Sequence, residues 1–181
     1  MGFRAGGRHG ATAQELRAFD PRVGGAAEPL HRTRLVIAGG KGWLDAPIYR
    51  AVKELRIEGR VIFTGFLDDA LLPALYKTAR CLAFPSLYEG FGLPILEAMA
   101  SGTPVITTGI SSMAEVAGDA ALLIDPLSIE ELRGALITAL GNDQARSRLI
   151  AAGLQQVETV HMGERGAAVE GVYQGLLGNN C

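Results

Sequence analysis

The sequence predicts an α/β domain: a parallel β-sheet with helices on both faces. Three observations predict it. Short apolar runs of strand length recur through the chain, stretches with helical spacing follow them, and glycine- or aspartate-marked turns separate the two. Parallel neighbours need a crossover long enough to pass over a face of the sheet, and this alternation supplies one each time.

The elements follow in order from residue 35. Residues 35–38 (LVIA) are the first apolar run, followed by the turn GGKG and a helical stretch at 46–56. A second strand is expected at 61–64. After it, Asp68 or Asp69 can cap a helix in which Leu71, Leu72, Leu75 and Tyr76 recur at helical spacing. Residues 81–84 are a third strand. The helix at 94–101 has Pro94 in its first turn and Gly102 just past its end, the usual asymmetry of start and stop. Strands at 105–107 and 121–124 complete the sheet. Helices at 128–140 and 143–158, and a last one near 167–177, are expected to wrap it. The arrangement is Rossmann-like.

Residues 1–33 differ in character. They hold Gly2, Gly6, Gly7, Gly10, Gly24 and Gly25, scattered arginines and one helical piece at 12–19, so they are expected to form a poorly ordered or atypical leader ahead of a Rossmann-like domain at 34–181. No strand is expected in MGFRAGG.

Composition excludes several classes. The 181 residues suit one domain, and 17 Lys+Arg against 19 Asp+Glu leave no basic footprint for nucleic acid. There is no run of about 18 apolar residues to span a bilayer, and MGFRAGGRHG lacks the apolar centre of a signal peptide. Of two cysteines, Cys81 sits in an apolar run where a buried thiol is the common state. These features fit a soluble, cytoplasmic protein.

In open parallel sheets ligands bind at the carboxyl ends of the strands. After Phe84 the chain reads PSLYEGFGLP before the next helix, and Gly90 and Gly92 carry no side chain to keep a ligand from the backbone. The amides of Phe91, Gly92 and Leu93 fall at a helix N-terminus, where unpaired donors and the helix dipole favour an anion such as phosphate. An ordinary glycine turn explains GxG alone equally well. Two carboxylates sharpen the pattern: Glu89 in the loop and Glu97 in the helix, seven residues intervening. An ionised carboxylate only accepts hydrogen bonds and suits vicinal hydroxyls, so one can meet a sugar and the other a ribose diol. Taken singly, Glu97 also reads as a glutamate favoured by the helix dipole and Glu89 as a solvated loop charge.

The whole run EGFGLPILEAMASGTPV resembles the E-x7-E signature of the retaining glycosyltransferases of family 4, which have the GT-B fold. The resemblance extends from about 35 to 132 through LVIAGGKGW, VIFTGFLDD, LYKTARCLAFPSLYEGFGLP and VAGDAALLIDP. GGKGW and SSMAEVAGDAALLIDP place it nearest the mannosyltransferase-like branch. The resemblance implies that Glu89 faces the transferred sugar and that Glu97 holds the ribose. It implies further that the backbone of Phe91, Gly92 and Leu93 contacts the sugar and diphosphate, and that Gly65 and Phe66 lie against the base. Gly39, Gly40 and Lys41 fall in the preceding turn, where Lys41 reads equally as a phosphate ligand or a surface lysine. The implied reaction moves a hexosyl group from a donor such as GDP-mannose or a UDP-sugar to an acceptor hydroxyl, without a metal ion or other cofactor.

The sequence also departs from that family. Its P-R-K-N-like phosphate loop should fall near 8–11, which reads RHGA, with Gly10 where the lysine belongs and Arg8 and His9 as substitutes. Gly163 stands where the family often has an aromatic residue. Family enzymes have two Rossmann-like domains, and this length accommodates the C-terminal one. The expectation is therefore a fragment inactive alone, whose candidate partner is a separate N-terminal GT-B domain; peripheral membrane contact belongs to the complete enzyme. The rival expectation is a non-catalytic nucleotide-binding or interaction module. A dinucleotide-binding dehydrogenase is disfavoured, because GGKGW is not GxGxxG.

Overall fold

The computed structural model describes residues 2–4, 15–20, 28–39 and 45–162. It contains a six-stranded parallel sheet in the order β3-β2-β1-β4-β5-β6, formed by β1 (Gly2–Arg4), β2 (Leu35–Ala38), β3 (Val61–Gly65), β4 (Leu82–Phe84), β5 (Val105–Thr108) and β6 (Ala121–Ile124). The expected architecture is observed. One expectation is corrected: MGFRAGG does contain a strand, and it lies mid-sheet, pairing Gly2 with Val36 on one side and with Leu82 on the other. Three residues are too few to show a period-two pattern. What makes them a strand is ladder bonding to both neighbours, which outweighs weak local preference.

Strand side chains alternate between two cores, one on each face of the sheet. Around β4, Cys81 and Ala83 join the first core, while Leu82 and Phe84 join the second. The first is covered by a 3-10 turn at Glu15–Phe19 and by α1 (Glu28–His31), α2 (Asp45–Glu54) and α6 (Ile129–Gly141), which contribute Leu16, Leu30, Val52 and Leu136. The second is covered by α3 (Leu72–Thr78), α4 (Leu93–Ala100) and α5 (Ser111–Ala117), through Tyr76, Ile95 and Met113, with α7 (Asp143–Met162) packing alongside. The helix expected at 46–56 ends at Glu54, because Arg56 takes φ 55 and turns the chain toward β3. Ser128 caps α6, its hydroxyl accepting from the Glu131 amide at 3.2 Å. The helix expected near 167–177 lies outside the described residues.

Two arginines tie down the described residues at 15–20 and 28–33. Buried Arg133 on α6 donates from Nη1 to the carbonyls of Ala18 (3.1 Å) and Asp20 (3.0 Å). Arg60, whose pKa is lowered by partial burial, donates from Nη2 to the carbonyls of Leu30 and Thr33. No helix among the described residues is long and apolar enough to cross a membrane.

Cys81 is fully buried, and desolvation pushes its thiol up to about 11. Thiolate is the reactive form, so it accumulates in the folded chain only as pH approaches that value. With Cys181 replaced by serine, labelling by an aromatic disulfide reagent at pH 8 is expected to be roughly a hundredfold slower in native than in urea-unfolded protein. Comparable rates would show that Cys81 is not sealed in the core.

Candidate functional site

The strand order locates the switch point of the sheet. From β1 the sheet grows one way through β2 and β3 and the other way through β4, β5 and β6, so the strand order reverses between β1 and β4. At such a switch point the loops after neighbouring strands lead away to opposite faces of the sheet and leave room for a ligand between them. Residues 85–92 leave β4 at this point. Residues 5–14 follow β1; Arg8, His9 and Gly10 belong to them and lie outside the described residues.

The loop after β4 is held by hydroxyls from β5 and α5. Thr107 Oγ1 donates to the Phe84 carbonyl, Thr108 Oγ1 to the Ser86 carbonyl and Ser112 Oγ to the Glu89 carbonyl, each at 3.0 Å. Both threonines are fully buried, which strengthens these bonds and makes their loss costly. The Ser86 hydroxyl lies 3.1 Å from Glu89 Oε1 and 3.2 Å from the Tyr88 carbonyl. Main chain and carboxylate of half-buried Glu89 are thus both anchored.

Gly92 then turns the chain into α4 in the left-handed conformation, φ 82 and ψ 36, and no side chain caps the helix. An L-residue here would be strained, and its Cβ would come within 3.2 Å of Ile95 Cδ1. Pro94 has no N–H and the Ile95 amide donates to the Gly92 carbonyl at 2.9 Å, so the Leu93 amide marks the positive end of α4. Glu97 lies farther along α4, half-buried, and Tyr76 Oη donates to its Oε2 at 3.0 Å. The turns after β2 and β3 are joined at the same edge of the sheet by a hydrogen bond from the Gly39 amide to the Gly65 carbonyl, 3.1 Å. Phe66 beside them is 85% exposed, and Phe91 and Leu93 are exposed as well. The structure therefore brings Gly39, Gly65, Phe66, Glu89, Gly90, Phe91, Gly92 and Leu93 to the carboxyl edge of the sheet, with Glu97 in the helix that starts there. Gly40 and Lys41 lie outside the described residues.

Sequence reading missed the supports. Thr107 reads as a strand residue, Thr108 falls just past the strand expected at 105–107, Ser112 reads as a cap of a short helix and Tyr76 as part of an apolar stripe. Their partners are 21 to 23 residues away, so no local spacing signals them.

Comparison with known proteins decides the family. The profile of the family described as "Glycosyl transferases group 1" matches residues 26–156, more than half of the chain. The chain belongs to that family. This group 1 chain is 39% identical over 127 residues to the O-antigen chain mannosyltransferase B of Escherichia coli, a match covering 70% of the chain and 33% of that protein. The chain thus spans about a third of the relative's length. Sucrose-phosphate synthase from Thermosynechococcus elongatus superposes with a TM-score of 0.73 at 25% identity, covering 92% of this chain and 42% of that one. The C-terminal domain of a group 1 glycosyl transferase, LpcC, from Francisella tularensis superposes with a TM-score of 0.68 at 24% identity, covering 88% of this chain and 82% of that domain. In fold, the group 1 chain is a GT-B C-terminal domain.

Proposed function

We propose that the chain is the donor-binding part of a retaining glycosyltransferase that moves a hexosyl group, by likeness to its Escherichia coli relative a mannosyl group, from a nucleoside diphosphate sugar to an acceptor hydroxyl. The observation that carries this reading is the switch-point loop: an anchored carboxylate, Glu89, ahead of a bare-backbone helix start, Gly92 and Leu93, with Glu97 farther along the helix. Glu89 accepts hydrogen bonds from the sugar hydroxyls. The amides of Phe91, Gly92 and Leu93 and the end of α4 stabilise the diphosphate as it leaves with negative charge. Glu97 accepts from the ribose, and Gly65 and Phe66 lie against the base. Gly39, Gly40 and Lys41 border the diphosphate. Acceptor recognition is assigned to a separate N-terminal domain.

Calorimetric titration of the purified chain with GDP- and UDP-sugars tests the reading. At least one is expected to bind in the millimolar range or tighter; none binding to folded protein at millimolar ligand refutes it. Glu97→Ala is expected to weaken nucleotide and sugar nucleotide alike, by roughly tenfold, the worth of a hydrogen bond to a charged group. Glu89→Ala should weaken the sugar nucleotide alone. Equal effects of both changes on free nucleotide contradict the division of roles.

A second reading, an interaction module that pairs with another polypeptide, draws on the apolar side chains at the same edge. Phe66, Tyr88 and Leu93 are 85%, 70% and 58% exposed, a surface suited to a facing domain. Binding of a partner chain with no affinity for nucleotide sugars would favour it.

A further inference from the structure

We infer that Tyr76 is a positioning residue for the ribose subsite, acting through Glu97; the inference rests on the reading of Glu97 as the ribose ligand. The Tyr76 ring is buried among Leu72, Phe84, Ile95 and Met99, and only 4% of the residue is exposed. Its Oη emerges from that core to donate to Glu97 Oε2 at 3.0 Å, from α3 across to α4. The main chain of Tyr76 is fixed in turn, since buried Thr103 donates from Oγ1 to its carbonyl at 2.6 Å.

A phenylalanine would fill the same space without burying a hydroxyl, and a buried hydroxyl costs stability unless it is hydrogen-bonded. The structure gives that hydroxyl a carboxylate to hold. A glutamate on a helix surface samples many rotamers, and a ribose diol needs its carboxylate in one place. A donor on a ring packed in the core favours that place before the ligand arrives. Tyr76 thus lowers the ordering cost of binding and touches no ligand itself.

The test uses the full chain and two pairs of probes, UDP with 2′,3′-dideoxy-UDP and GDP with 2′,3′-dideoxy-GDP, titrated by calorimetry. The unmodified chain is expected to prefer the ribose form of whichever base binds. Tyr76→Phe should shrink that preference by about tenfold, the loss of one charge-assisted hydrogen bond, while leaving dideoxynucleotide affinity within about twofold. In a Glu97→Ala background the same change should do nothing further. A looser fold would instead weaken both members of a pair equally, and that result overturns the inference, as does an unchanged preference; both leave the donor-site reading standing. Should the unmodified chain bind nucleotides without preferring ribose, the Glu97 assignment and this inference fall together. If Tyr76→Phe does not fold, Glu97→Asp, which withdraws the carboxylate by one methylene, must lose the preference; retention of it overturns the inference.

Discussion

Arg133→Ala is expected to cost about 2 to 4 kcal/mol of folding stability, because it leaves the carbonyls of two residues without their buried donor and opens a cavity. The Arg133 Nη1 group holds both Ala18 and Asp20 from beneath α6, and Ala18 is fully buried. A long side chain filling the site without a donor should recover the packing alone, so Arg133→Met is expected to fall between alanine and the native residue. Arg133 Nη2 is buried without a hydrogen-bond partner among the described residues, which reduces the native gain. Urea unfolding with hydrogen exchange checks this. Exchange at 16–19 should rise more than at α4, and a midpoint shift equivalent to less than about 0.5 kcal/mol would show that the tie contributes little.

What was legible in the sequence follows from how far each interaction reaches. The strands β2 to β6 are runs of three to five residues whose boundaries are written in the residues beside them: Gly39 after β2, Pro104 before β5, Asp125 after β6. β1 had no such signature. Its place depends on pairing with Val36–Ala38 and Leu82, more than thirty residues away. The same division holds at the site. Glu89, Gly90, Gly92 and Glu97 are close in sequence because one loop and one helix carry them, and their spacing is the motif. Thr107, Thr108, Ser112 and Tyr76 are joined to it only by folding. Thr107 and Thr108 are strand residues by preference as well as by position, so nothing in VITT marks their hydroxyls as donors to the preceding strand and loop.

Valine at Gly92 and at Gly90, two residues apart, should lower nucleotide affinity alike but differ in its effect on stability, and the contrast tests the phosphate end of the proposed site. Gly92→Val places a β-branched residue at φ 82, where the left-handed region costs roughly 1 to 2 kcal/mol. Its Cβ also meets Ile95 Cδ1 at 3.2 Å, and Ile95 is fully buried, so overpacking adds roughly 1 to 3 kcal/mol. The chain can relieve this only by shifting the start of α4, which moves the Leu93 amide. Stability and nucleotide affinity are both expected to drop. A Cβ added at Gly90 would meet nothing within 4 Å, and Gly90 does not take a left-handed φ. Gly90→Val should therefore change stability by less than about 0.5 kcal/mol, yet fill the open space over the loop that a diphosphate must enter. Its signature is a native melting curve with nucleotide affinity reduced about tenfold or more, the order of one lost contact to a charged group. Unchanged affinity in Gly90→Val would place the diphosphate elsewhere, and unchanged affinity in a folded Gly92→Val would separate the anion site from the α4 terminus.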